Sequence, residues 1–433
     1  MKHRKSLIGV LIFALCAVLV GCSGTTAENR NSETSAAATN EPSVANKTQL
    51  TFWNFKTDPI WEASAMEIAE QMNIDLSYEY IQDETYKTKM KVAVAGNELP
   101  DAFAQHAGES YRSLLLDSQS VAPLNDVLET TGLAEKFNSG QLIDDAEGNI
   151  YSVPMESSTV LVGFYNKKLL KELGLEAPQN WDDLLRMVTV ANESGLIPIS
   201  LGGKEAWQGD MIYNMLVLRE DKDAFTKAMK GEMAFTDPPF VAAAGKLNEL
   251  VKANAFQKGF LSTSYYDSLE LLKGGKAVMS FDGSWAFADL IPALQDDLGY
   301  IIFPKTGAEE VYSSTIGTGG PAPYGLFVNA RSANAQLAKE FVIRLSLKIN
   351  DELVKQGLSG YAQSEATPPT DVNQEMVKFS DDMEQITAIQ PLWFALLSAS
   401  TGSDFRDVLQ QLYASRLSPE QFVNDMAKVL GGA

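Results

Sequence analysis

Beyond position 22 the chain has no cysteine. Its two cysteines are Cys16 and Cys22, so the rest of the chain holds no disulfide, no thiol nucleophile and no cysteine-ligated zinc or iron–sulfur centre. Histidine is almost as scarce. Only His3 and His106 occur, which excludes a multi-histidine metal site and leaves a Ser-His-Asp triad one candidate base, His106. No G-x-S-x-G elbow accompanies it. Gly317, Gly319 and Gly320 cluster without the Lys-Ser/Thr of a phosphate loop and read as a turn. Basic charge is short as well: 35 Lys and Arg stand against 56 Asp and Glu, a net charge of −21. Without a basic stripe, a nucleic-acid partner is excluded. The negative excess suits a protein kept soluble by self-repulsion. No repeat of fixed period occurs.

One long apolar run is present, over residues 7–20. A basic head of Lys2, His3, Arg4 and Lys5 precedes it, and Leu19-Val20-Gly21-Cys22 closes it. Basic head, apolar stretch and small residue before the cut predict a secretion signal over 1–21. The run is too short for a hydrocarbon core of ~30 Å, which needs about 20 apolar residues. The closing tetrapeptide resembles the bacterial lipobox. That resemblance implies lipid attachment at Cys22 and an extracytoplasmic protein tied to the cell membrane. Residues 22–47 are rich in Ser, Thr, Ala, Asn and Glu and cannot bury enough apolar surface to order themselves. They read as a flexible tether with a reach of about 25–30 Å.

From about residue 48 the chain is too long for one core, and two lobes are expected. Residues 50–55 read as a strand, and Trp61, Ala65, Ile68 and Met72 mark one helical face. Ile74, Leu76, Tyr78 and Tyr80 alternate as a second strand. A helix over 83–95 stops at Gly96, and a third strand is expected over 99–104. This β-α-β-α-β series argues a parallel sheet with crossover helices. A hairpin is expected around Glu147-Gly148-Asn149. The neighbouring Asp144, Asp145 and Glu147 lack the spacing of a calcium loop and read as a solvated turn. Asn180 caps a helix ending near Gly195. Strands are expected at 160–165, 197–201, 277–281, 300–303 and 325–328, and beyond 333 the chain reads as helical, interrupted at 357–369.

Six segments in order carry a wider resemblance. They are Thr51-Phe52-Trp53; Gly96-Asn97-Glu98-Leu99-Pro100-Asp101; Tyr151-Ser152-Val153-Pro154 leading to Phe164-Tyr165-Asn166-Lys167; Gly274-Gly275-Lys276-Ala277-Val278-Met279 before Gly283-Ser284-Trp285; Ala338-Lys339-Glu340-Phe341; and Ser418-Pro419-Glu420. Together they resemble the solute-binding proteins of ATP-driven sugar importers, the maltose-binding-protein superfamily. The chain departs from that pattern at Gln105-His106, where the family often carries an aromatic or polar pair. The resemblance implies an α/β, two-lobed periplasmic-binding-protein-like fold with a hinge and a ligand cleft between the lobes. Lobe 1 would comprise 48–154 plus 323–357, and lobe 2 would comprise 161–305 plus 370–433. Hinge crossings would fall near 155–160, 306–322 and 358–369. It further implies a monomer without cofactor or catalysis, working with the permease subunits of an ABC transporter and with a carbohydrate ligand.

A pyranose has one apolar C–H face and a belt of hydroxyls, so it calls for an aromatic platform and for Asp, Glu, Asn or Gln. Trp53, Trp207 and Trp285 stand where the chain changes element, the usual source of cleft residues. Trp61 and Trp181 read as helix core, and Trp393 as either. Among polar groups Asp282 leads, with Ser284 beside it, then Glu156, then Gln105 and His106. The competing expectation is a cell-surface glycoside-active enzyme using two carboxylates, although no motif marks an acid/base pair.

Overall fold

The computed structural model describes residues 47–106, 114–138, 141–142, 145, 147–156, 160–306, 315–318, 324–358, 360–370, 372–384, 386, 388–393 and 396–431. Cys22, the signal run, residues 22–46 of the tether and Asp144 lie outside them. No helix among the described residues is long and apolar enough to cross a membrane.

The strands in chain order are β1 (Thr48–Asn54), β2 (Ile74–Tyr80), β3 (Ala102–His106), β4 (Ser152–Pro154), β5 (Leu161–Asn166), β6 (Ile197–Ser200), β7 (Ala277–Gly283), β8 (Leu298–Ile302), β9 (Thr315–Thr318), β10 (Tyr324–Val328) and β11 (Ala388–Pro391). One five-stranded sheet runs β2-β1-β3-β10-β4, and a four-stranded sheet runs β6-β7-β5-β8. As the β-α-β-α-β pattern predicts, β1 pairs parallel with both β2 and β3. The sheet is nevertheless mixed, because β10 returns antiparallel between β3 and β4.

Three expectations need correction. The third strand starts at Ala102, since Pro100 has no N–H to give a ladder and the Asp101 carboxylate accepts from Thr51 N and Thr51 Oγ1, both at 2.8 Å. The turn at 145–149 exists, closed by Asp145 Oδ1 accepting from Glu147 N and Asn149 N. Among the described residues it does not lead into a local hairpin, because β4 pairs with β10, far along the chain; residues 143, 144 and 146 lie outside them. Gly317 belongs to a strand, opposite Gln390 of β11, a pairing with no local signal. Gly319 and Gly320 lie outside the described residues.

Each sheet has its own core. Around the first, Phe52, Phe103, Leu326, Phe341 and Ile349 pack together. The helices Ile60–Gln71 and Ala335–Lys355 cover it, and Tyr361 closes it by donating to Ser346 O at 2.6 Å. Around the second sheet the alternation along the strands separates two apolar layers. Leu161, Phe281 and Ile301 face one layer, while Val162, Phe164, Leu298 and Tyr300 face the other. All seven positions of β7 are buried, as a strand covered on both faces requires.

The helix Trp207–Glu220 is buried on every side from Gln208 to Arg219, so it shows no polar stripe. Its polar groups are satisfied internally. Gln208 accepts from Gly202 N at 2.7 Å and donates to Phe281 O at 2.8 Å. Asn214 donates to Asp210 and accepts from Trp393 N at 2.8 Å. Trp393 is core, 1% exposed and stacked on Phe225 at 4.3 Å. Trp181 is core too, donating from Nε1 to Glu249 at 2.7 Å.

Candidate ligand-binding site

Strands β1, β3, β6 and β7 run their carboxyl ends toward one crevice, the place where open α/β sheets bind ligands, and antiparallel β10 brings Tyr324 there at its amino end. β1 runs out into Phe55 and Lys56, β3 ends at His106, β6 leads to Trp207, and β7 leads to Ser284 and Trp285. The crevice encloses about 970 Å³.

Its second-sheet wall is aromatic. The Trp207 ring lies 4.8 Å from Tyr265 and 6.0 Å from Trp285. Trp285 Nε1 donates to the Tyr265 hydroxyl at 3.0 Å, and Tyr265 N donates to Glu205 at 3.1 Å. Two glycines make this packing feasible. A Cβ on Gly283 would fall 1.9 Å from the Trp285 ring, and one on Gly202 would fall 2.6 Å from Tyr265 Cα. Ala206, just before Trp207, takes φ +64, a conformation that costs a residue with a Cβ about 1–2 kcal/mol and is typical of binding sites.

Asp282 stands behind this wall, fully buried. Its Oδ1 accepts from Gly283 N at 2.8 Å, while its Oδ2 has no partner within hydrogen-bond geometry among the described residues. Burial pushes its carboxyl up to about 8, against the opposing pull of Gly283 N–H, Tyr265 and Trp285. Burial and the Asp282 carboxyl in turn raise the Tyr265 phenol well above its ordinary value.

The first-sheet wall mixes aromatic and charged groups. Phe55 stacks on His106 at 5.1 Å, and Tyr324 tilts against His106 at 4.7 Å. Lys56 Nζ lies 3.8 Å from the Tyr324 ring centre and 2.9 Å from Glu156 Oε2. Among the described residues Glu156 Oε1 is buried without a hydrogen-bond partner, a ready acceptor on the crevice wall. Burial lowers the His106 pKa, opposed by Asp83 at 3.3 Å. Burial works to raise Asp83, yet His106 and Lys87, the latter at 2.8 Å, hold it well below the carboxylate range.

Of the residues nominated from sequence, Trp207, Ser284 and Trp285 line the crevice from one side and His106 and Glu156 from the other. Trp53, Gln105 and Asp282 are not among its lining residues. Trp53 is half-buried on β1 with Lys89 Nζ 3.8 Å over its ring. Gln105 is 1% exposed and accepts from His106 N; strand alternation sends it to the face opposite His106. Trp61 is core as expected, yet its edge reaches the crevice. Sequence reasoning missed Phe55, Tyr265, Tyr266, Tyr324 and Arg406. The one signal for Tyr265 and Tyr266 was the glycine pair Gly202-Gly203, which lets the segment before Tyr265 lie close. Arg406 donates from Nε to buried Asp210 at 3.0 Å, a contact with no local signature.

Two α/β sheets, each with its own core, facing a shared crevice across an aromatic and a polar wall, define the two-lobed periplasmic-binding-protein-like class. The chain belongs to the family described as bacterial extracellular solute-binding protein, whose profile matches residues 57–343. It is 28% identical over 208 residues to the multiple sugar-binding protein of Streptococcus mutans, covering 45% of this chain and 46% of that one. It is also 28% identical to the melibiose/raffinose/stachyose-binding protein MelE of Bacillus subtilis, over 47% of this chain and 44% of that protein. The chain thus spans about half the length of these relatives. In fold it matches a chitin oligosaccharide binding protein with a TM-score of 0.79 and 23% identity, over 90% of this chain and 99% of the other. The family is one of carriers, not enzymes, and the glycoside-active alternative is set aside on that ground.

Proposed function

We propose that this protein is the receptor of an ABC importer, capturing a neutral carbohydrate, an oligosaccharide, in the crevice and presenting it to a membrane permease. The observation that carries this reading is the Trp207–Tyr265–Trp285 wall opposite the unpartnered Glu156 Oε1. The rings suit the C–H face of a pyranose and the carboxylate suits its hydroxyls. Charge supports a neutral ligand: Lys56, Lys87 and Arg406 each already face a carboxylate, at 2.9, 2.8 and 3.0 Å. The names of the relatives, which bind sugars, support the same class. Trp285, Trp207, Ser284, Glu156 and His106 form the proposed contacts. Asp282 acts from behind them, and Trp53 and Gln105 support the first sheet.

In this reading 48–154 plus 323–357 and 161–305 plus 370–433 are lobes that close on the sugar about crossings near 155–160, 306–322 and 358–369. Residues 157–159, 307–314, 319–322 and 359 of those crossings lie outside the described residues. The test is a thermal-shift screen against mono- and oligosaccharides. Ligand at ~100 times its Kd adds about 2.7 kcal/mol to stability. A sugar that raises the melting temperature, is recovered intact and shrinks the radius of gyration in small-angle scattering supports the proposal. A panel without any shift, or a sugar recovered cleaved, contradicts it.

The proposal includes a lipid on Cys22 holding a monomer at the cell membrane. Because stable anchoring takes two lipid signals or more, Cys22→Ser should release the protein or leave it unprocessed, as membrane fractionation would report. A cleaved Ser variant retained as well as wild type would sink the anchor.

A further inference from the structure

We propose that Tyr266 forms an outer sugar subsite at the mouth of the crevice that sets the preferred chain length; this rests on the sugar-receptor reading above. The aromatic wall does not stop at Tyr265. The Tyr266 ring continues it, 5.2 Å from Tyr265 at an interplanar angle of 63°, and lines the crevice at its outer end. Exposure grades along this row, from half-buried Trp207 and Trp285 to Tyr266 at 41%.

Burial pushes the Tyr266 phenol up to about 12, helped by Asp83 of the first wall and by Asp289 of its own. A single exposed apolar side chain is ordinary, but an exposed ring in contact with a half-buried aromatic row that lines a crevice is a platform. It offers an apolar face and a polar tip.

The Tyr266 backbone is also held in place. Ser264 caps the helix Tyr265–Lys273 by accepting from Asp267 N at 3.2 Å, and Tyr265 N is tied to Glu205. A platform ordered before the ligand arrives loses little freedom on binding. A crevice of about 970 Å³ lies at the top of the usual range of ~300–1,000 Å³, which leaves room for a sugar unit beyond those on the inner rings.

The experiment titrates the purified protein with melibiose, raffinose and stachyose, a di-, tri- and tetrasaccharide series, and with chitobiose to chitotetraose. In wild type the affinity should climb with length in the series that binds. Tyr266→Ala should weaken the longest member about tenfold more than the shortest, close to 1.4 kcal/mol. Tyr266→Phe should keep most of the gain, because the ring remains. A wild type without length dependence, or a Tyr266→Ala ladder parallel to that of wild type, overturns the outer subsite while leaving the sugar reading intact. Should no member of either series bind wild type, the sugar reading fails and the subsite falls with it.

Discussion

Replacing Trp285 by alanine should weaken sugar binding by about two orders of magnitude, on the order of 2.7 kcal/mol. The ring is the meeting point of the aromatic wall: 6.0 Å from Trp207, bonded through Nε1 to Tyr265 and laid over Gly283. Its removal takes away a platform and frees Tyr265 from one of its restraints. Trp285 is only half-buried, so the variant should fold, with a far-ultraviolet spectrum like that of wild type. Calorimetry is the check. Wild-type affinity in a folded Trp285→Ala protein would mean that sugar binds elsewhere. A variant that unfolds would make Trp285 a core residue first.

The second large effect is expected at Asp282, and it concerns stability against pH. Burial raises its carboxyl from the ordinary 3.8 to about 8 in the folded protein. Between those values the folded state holds a proton that the unfolded state has released. Stability is therefore fully present below about pH 4 and is lost as pH rises through the folded value near 8. The slope is on the order of 1 kcal/mol per pH unit within the window. Asp282→Asn keeps an acceptor for Gly283 N–H and carries no titrating group. Its melting temperature should exceed that of wild type increasingly from pH 5 to 8, and the two should converge near pH 4. Parallel melting curves across that range would show that the Asp282 carboxyl is not held protonated.

What the sequence made legible was local. Asn180 accepts from Asp183 N as its position before a helix suggests, and Ser418 with Gln421 forms a capping box at the start of the last helix. The alternation of Ile74, Leu76, Tyr78 and Tyr80 gave the second strand within its observed bounds. The place of Trp285 on the crevice wall was foreshadowed by Asp282-Gly283-Ser284, where the chain passes from β7 into the next helical turn.

What stayed hidden depends on distant partners or on strand parity. Trp53 and Gln105 sit in the right strands, but one residue decides the face: Phe52 and Asn54 are buried while Trp53 takes the side of Lys89. Phe55 and Tyr324 meet only because β10 returns beside β3. The helix Trp207–Glu220 is buried all round, so periodicity says nothing about where it lies. The short pairing of β9 with β11 joins segments far apart in the chain, beyond the reach of any local pattern.

The central claim is that the crevice between the aromatic and polar walls binds a neutral oligosaccharide without altering it. Titration calorimetry of the wild-type protein against a panel of uncharged oligosaccharides tests this most directly. Saturable one-to-one binding of at least one of them is the expected result. A panel that gives no binding heat at any length or linkage, from a protein shown to be folded, would contradict it.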